Sequence, residues 1–138
     1  MAERIPYAYA PIRVTPRVER GERLNAGVVL YCRPRRFLAA LTELNAPRLL
    51  ALDPAIDLDA IRRHLTTIER IAAGNPVAGA IARLPQHERF GWLTAPASTV
   101  VHPGPVHGGI CTDPETELAA LFARLVGTNQ KSEGKSQE

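Results

Sequence analysis

Lysine does not occur before position 131, aromatic residues make up only 5% of the chain, and only 2 of its 138 residues are cysteine. Each shortage closes off a class of protein. Cys32 lies in an apolar run and Cys111 in a Gly-rich segment, so the pair supplies no disulfide framework and reduced thiols are expected. The longest uninterrupted apolar run is Ala26 to Cys32, seven residues, against about 20 for a membrane-spanning helix. The N-terminus has neither the basic nor the apolar region of a secretory signal. A cytoplasmic protein without a membrane partner is expected. Also missing are a GxxxxGK[ST] loop, a GxGxxG turn, a GxSxG elbow and an HExxH helix, and with them the familiar nucleotide, hydrolase and zinc-protease signatures. The lack of lysine carries no function: all fifteen basic residues before the tail are Arg, a skew of the kind coding bias leaves.

What remains is an ordinary folding composition, 45% hydrophobic and 22% charged. At 138 residues one core is expected, because domains commonly run to about 100–150 residues. The net charge of +3 is unevenly placed, with eight Arg against three Glu in residues 1–40. The basic third suits an anionic partner. No aromatic interleaving or recognition-helix motif accompanies it, so the basic third is the one sign of a nucleic-acid partner.

Periodicity predicts the elements. Tyr7 to Thr15 alternates and reads as a strand, placed by its prolines at an edge or with N–H groups facing away from a neighbour. Leu24 to Arg33 is apolar on both faces, which suits a central strand covered on both sides. A third strand, Phe37 to Thr42, completes an antiparallel meander. A helical turn is expected over Ala46 to Leu52. A longer helix follows, with Leu58, Ile61, Leu65, Ile68 and Ala72 on one stripe, an Asp57 cap and a stop at Gly74-Asn75-Pro76. Ala78 to Leu84 suits a helix, Phe90 to Leu93 an extended segment and Ser98 to His102 a fourth strand. Pro103 to Gly109 reads as a loop. Thr112 with Glu115 forms a capping box before a last helix that buries Leu118, Leu121, Phe122 and Leu125. The expected fold is therefore a single α+β domain over 1–127, a mainly antiparallel sheet of about four strands with helices on one face. Residues 128–138 hold no apolar side chain and are expected to be a disordered polar tail.

Few side chains offer chemistry. His102, His107 and Cys111 spell His-x4-His-x3-Cys, three zinc-type ligands where a closed site needs four. Only the fold could recruit Cys32 or His87 to complete it, so no metal and no cofactor are expected. Cys111 precedes a helix N-terminus, His107 is available as its base and Asp113 as an orienting group, which makes these three the catalytic candidates. Arg17, Arg20 and Arg23 alternate with Glu19 and Glu22 in a loop that suits either anion binding or plain solvation. With Arg13 and Arg89 they are the ligand-binding candidates. Gly27 inside an apolar strand marks a bulge or a close backbone approach, its neighbour Asn25 can bond the backbone locally, and Trp92 is expected as a core anchor.

The run Arg20-Gly21-Glu22, Asn25 and Gly27-Val28-Val29-Leu30 is followed by Arg89-Phe90, Trp92-Leu93, Pro96 and Ser98-Thr99-Val100-Val101. Pro105-Val106-His107, Cys111 and Asp113-Pro114 come after them. In this order the motifs resemble the bacterial domain of unknown function 3037 over about residues 7–126. The resemblance transfers no catalytic residue. It implies a protein partner, a HipA-like kinase, because genes of this kind often stand beside one encoding such a kinase. The function expected is that of a non-catalytic accessory or protein-binding module, with a Cys111–His107 enzyme and an anion or nucleic-acid binder as alternatives.

Overall fold

A computed structural model describes residues 3–127. The expected tail, 128–138, lies outside the described residues. Nine strands and helices follow in order: β1 (Ile5–Val14), β2 (Leu24–Cys32), β3 (Phe37–Thr42), α1 (Ala46–Leu52), α2 (Leu58–Ala73), α3 (Gln86–Leu93), β4 (Val101–Pro103), β5 (His107–Cys111) and α4 (Pro114–Leu125). Short 3-10 turns occupy Arg33–Arg35, Pro76–Ala78 and Ala80–Arg83.

The sheet is antiparallel throughout, in the order β3-β2-β1-β4, with β5 also on β1. The meander and the central place of β2 agree with the sequence reading, as does the α+β class. The prolines do not put β1 at an edge, since it pairs on both sides. Pro11 is tolerated there because its side of β1 faces the break between β4 and β5, where its carbonyl accepts a hydrogen bond from the Gly104 N–H (2.8 Å). The missing N–H therefore interrupts no ladder. Between the pairs Ile12–Pro103 and Tyr9–His107 the opposing segment has one residue more than β1. β4 and β5 are thus one edge strand kinked by a bulge, in a stretch whose Pro and Gly residues read locally as a loop.

The helices occupy both faces of the sheet, not one. Alternation along each strand divides the buried side chains between two clusters. Ala10, Ile12, Val14, Val29, Leu38 and Ala40 pack with Leu49 of α1, Ile61, Leu65, Ile71 and Ala72 of α2, and Leu93 of α3. Ile5, Val28, Leu30 and Cys32 pack with Cys111, Leu118 and Leu121 on the opposite face, which α4 covers. The doubly apolar pattern of β2 requires this second layer, since otherwise Val28, Leu30 and Cys32 would face water. Each such fully buried aliphatic side chain contributes roughly 1.5–3 kcal/mol.

Local signals set the helix ends. The Asp57 carboxylate accepts from the Ala60 N–H (3.0 Å), and Gly74 closes α2 at φ 74°. α4 is capped by Asp113 rather than Thr112: its carboxylate accepts from the Thr116 N–H and hydroxyl, with Pro114 in the first turn. Residues 90–93 are helical, not extended, as part of α3. Short apolar runs are ambiguous by period alone, and here the helical turn directs Arg89, Phe90 and Leu93 inward. Ala78 to Leu84 forms only 3-10 turns, and the expected fourth strand shortens to Val101–Pro103.

Candidate functional site

Cys111, His107 and Asp113 are not brought together. Cys111 and His107 share β5, opposite Ile5 and Tyr9 respectively, so they stand four positions apart along an extended strand, roughly 13 Å at the usual rise. The Cys111 side chain is buried in the α4 core. Burial, with the neighbouring Cys32 and Glu117 adding to it, pushes its thiol above the ordinary value. His107 is exposed and stacks on Tyr9, ring centroids 5.4 Å apart. Asp113 is engaged as the α4 cap, and the Thr116 hydroxyl and amide hold its carboxyl below the usual carboxylate range. In the folded protein Cys111 is therefore expected to alkylate far more slowly than a free thiol, with a pH profile displaced above about 8.5. His107→Ala should leave that profile unchanged. A rapid, pH-depressed reaction with iodoacetamide, lost in His107→Ala, is the result that contradicts this geometry.

The third member of the His-x4-His-x3-Cys spacing, His102, shares a hydrogen bond with the Thr15 hydroxyl (2.8 Å) and one with the Pro103 carbonyl. Among the described residues no group of three or more His, Cys, Asp or Glu is placed to hold a metal ion.

The arginine candidates separate into three roles. Arg17 and Arg20 pair with Glu19 and Glu22 in the exposed loop between β1 and β2 (3.2 and 2.9 Å), the solvated arrangement that interleaved charge allows. Arg89 is only 8% exposed. Its guanidinium donates to the Ile71 and Ala72 carbonyls at the end of α2 (3.0 and 2.9 Å) and to the Leu84 carbonyl (2.9 Å). It caps a helix C-terminus. Arg13 and Arg23 border a polar recess that also includes Arg48, which the sequence did not single out. Asn25 reaches across the fold rather than to its own strand, donating to the Leu125 carbonyl at the end of α4 (3.0 Å).

The two edges of the sheet are finished differently. At the β3 edge, Glu69 of α2 accepts from the Thr42 N–H (2.9 Å) and hydroxyl (2.7 Å), and Gln86 of α3 donates to the Arg36 carbonyl (2.8 Å). Open strand edges are usually blunted by such contacts, by charge or by proline. β5, His-Gly-Gly-Ile-Cys, has no Lys, Arg, Asp, Glu or Pro, and among the described residues no side chain hydrogen-bonds its backbone. Ile110 is 58% exposed. It stands opposite Pro6, and beyond it on the same face lie Ala8 and its partner Tyr31. Tyr31 in turn contacts Phe90 of α3, ring centroids 5.3 Å apart. A shallow depression of about 630 Å³ runs alongside, lined by Pro6, Tyr7, Ala8, Tyr31, Arg33 and Pro34.

Gly109 of β5 has a local reason. A Cβ at Gly109 would come within 2.5 Å of the Tyr7 ring, whose hydroxyl donates to Glu117 of α4 (2.6 Å). Trp92, expected in the core, is 55% exposed because α3 turns Arg89 and Leu93 inward. It borders a second, apolar recess with Ile12, His64, Ile68 and Val101. The β5 edge was not legible in the sequence. Its one signal is the unbroken absence of charge from His102 to Thr112, in a stretch that otherwise reads as loop.

No curated protein and no solved structure matches the chain. A family model does, that of the protein of unknown function DUF3037, over residues 9–126. That span runs from the middle of β1 to the end of α4 and takes in both core layers, the arginine recess and the β5 edge, so the chain belongs to the DUF3037 family.

Proposed function

We propose that this chain is a non-catalytic, protein-binding module that receives an extended segment of its partner along β5. The open edge of β5 carries the reading: its unblunted backbone offers a row of main-chain groups for strand addition, and Ile110, Pro6 and Ala8 offer apolar contact beside it. The partner implied by the family resemblance, a HipA-like kinase, is the first protein to test. A cytoplasmic accessory chain suits that role, and no described helix is long and apolar enough to cross a membrane.

Display selection of short random peptides on the folded protein, followed by mapping of amide shifts, tests the reading. Enriched peptides are expected to perturb His107 to Cys111 and to lose at least tenfold in affinity, about 1.4 kcal/mol, on Ile110→Lys. The HipA-like kinase should be affected by the same substitution. Ile110 is exposed, so the variant is expected to keep the wild-type unfolding midpoint. Binders that map to another face, or that ignore Ile110→Lys, overturn the proposal.

A further inference from the structure

At the end of the sheet remote from the Ile110 surface, three arginines from three separate elements border one recess. Arg13 comes from β1, Arg23 from the residue before β2, and Arg48 from α1; Leu24, Asn25, Leu125 and Val126 complete a polar lining around about 380 Å³. Pockets for small molecules commonly measure about 300–1,000 Å³, so the space suits a small ligand.

The three cations are uncompensated. Ion pairs among the described residues are Arg17–Glu19, Arg20–Glu22, Asp59–Arg62 and Glu88–His87, and none involves Arg13, Arg23 or Arg48. Glu43 borders an adjoining small recess with Arg48, Asn25 and Asn45, without pairing with Arg48. Surface arginines without a partner are common. Arg13 differs because its guanidinium is folded over Gly104: a Cβ there would come within 2.8 Å of its Cζ and 3.0 Å of its Nε. The Nε is buried and has no hydrogen-bond partner. Buried polar atoms are nearly always satisfied; with its Nε enclosed and unpaired, Arg13 is a poorly solvated cation at the border of the recess. The position of Arg23 adds repulsion, and burial followed by the Arg23 charge holds the Arg13 guanidinium below its ordinary pKa. An arrangement that gathers like charges against a desolvated donor is unfavourable until an anion enters.

The acceptor must carry more than one charge and several oxygens. A carboxylate satisfies a single guanidinium fork, whereas a phosphate dianion presents three oxygens to donors from several directions. We propose that Arg13, Arg23 and Arg48, with Asn25 at the rim, form a binding site for the phosphate group of a small phosphate monoester. The adjoining recess bordered by Asn45 and Glu43 holds only about 10 Å³, roughly one water, so the ester's remainder extends toward solvent. The site stands apart from β5 and does not depend on the strand-addition reading.

Calorimetric titration of the full chain tests this with phenyl phosphate, glycerol phosphate and inorganic phosphate, with acetate as the monoanion control, at low and physiological salt. Saturable binding of the monoesters is expected, at least tenfold tighter than acetate, together with a raised unfolding midpoint. Arg23→Met and Arg48→Met, both at exposed positions, should each weaken it at least tenfold, while Arg17→Met and Arg20→Met leave it unchanged. Arg13→Met should abolish it; if that variant fails to fold, the Arg23 and Arg48 variants decide. Monoesters binding more tightly than inorganic phosphate support an ester ligand, and inorganic phosphate binding equally well overturns that part. No saturable binding, or equal losses from Arg17→Met and Arg23→Met, overturns the site.

Discussion

Replacing Arg89 by methionine is expected to lower the stability of the domain by about 3 kcal/mol or more, with each stranded buried carbonyl costing roughly 1–3 kcal/mol. The guanidinium donates to three carbonyls, Ile71 and Ala72 at the end of α2 and Leu84 before α3; the Ile71 carbonyl keeps the Gly74 N–H (3.0 Å), so the substitution strands those of Ala72 and Leu84. Methionine keeps the stem's packing and removes every one of those donors. It also removes a cation from the negative end of α2. Gly74, which closes α2, leaves room for the group: a Cβ there would come within 3.0 Å of an Arg89 Nη. At roughly 2–8 °C per kcal/mol for domains near this size, the unfolding midpoint should fall by about 10 °C or more. Urea denaturation of wild type and Arg89→Met checks the value. A loss under about 1 kcal/mol, the net worth of one ordinary hydrogen bond, would show that the cap is dispensable. Arg89→Lys should rescue only a fraction, since an ammonium cannot span three carbonyls as a planar fork does.

The second large effect is expected at Gly27. A Cβ on this residue would lie 2.6 Å from the Leu41 carbonyl oxygen and 2.9 Å from the Thr42 Cγ2. The first obstacle is backbone of the neighbouring strand, so no rotamer change relieves it. Gly27→Ala must push β3 away from β2 or shift the register beside the irregularity opposite Ile12 and Arg13. Overpacking of this kind costs about 1–3 kcal/mol, and Gly27→Val more. Displacing β3 also disturbs the Glu69 bonds to Thr42 that finish this edge. Chemical denaturation and amide exchange along β2 and β3 check the prediction. Unchanged protection of the β2–β3 ladder in Gly27→Ala would refute it. Gly91 is the internal control: a Cβ there meets nothing within 4 Å, and alanine in the middle of α3 should be neutral or stabilising.

Much of the frame was determined by the sequence itself. Alternation located β1, an apolar run on both faces located β2, and the turn after it placed β3, each within two residues at either end. Helix α2 was equally legible, since its stripe, its Asp57 cap and its Gly74 stop are all short-range features. The bulge signal at Gly27 was correct for the same reason: a missing Cβ in an apolar run is a local fact with one common meaning.

What only the tertiary structure decided is everything that depends on which elements meet. Cys111 and His107 are near in sequence, yet an extended backbone sets them roughly 13 Å apart, whereas Arg13, Arg23 and Arg48 are separated along the chain and border one recess. The second helical layer was implied by the apolar faces of β2, but α4 was assigned to it only by packing. Pro103 to Gly109 has the composition of a loop, yet His107–Cys111 becomes strand because the free side of β1 supplies its hydrogen bonds, a gain that local propensity does not contain. Arg89 carries the same lesson: its charge suggested a ligand, and burial against three carbonyls made it a helix cap.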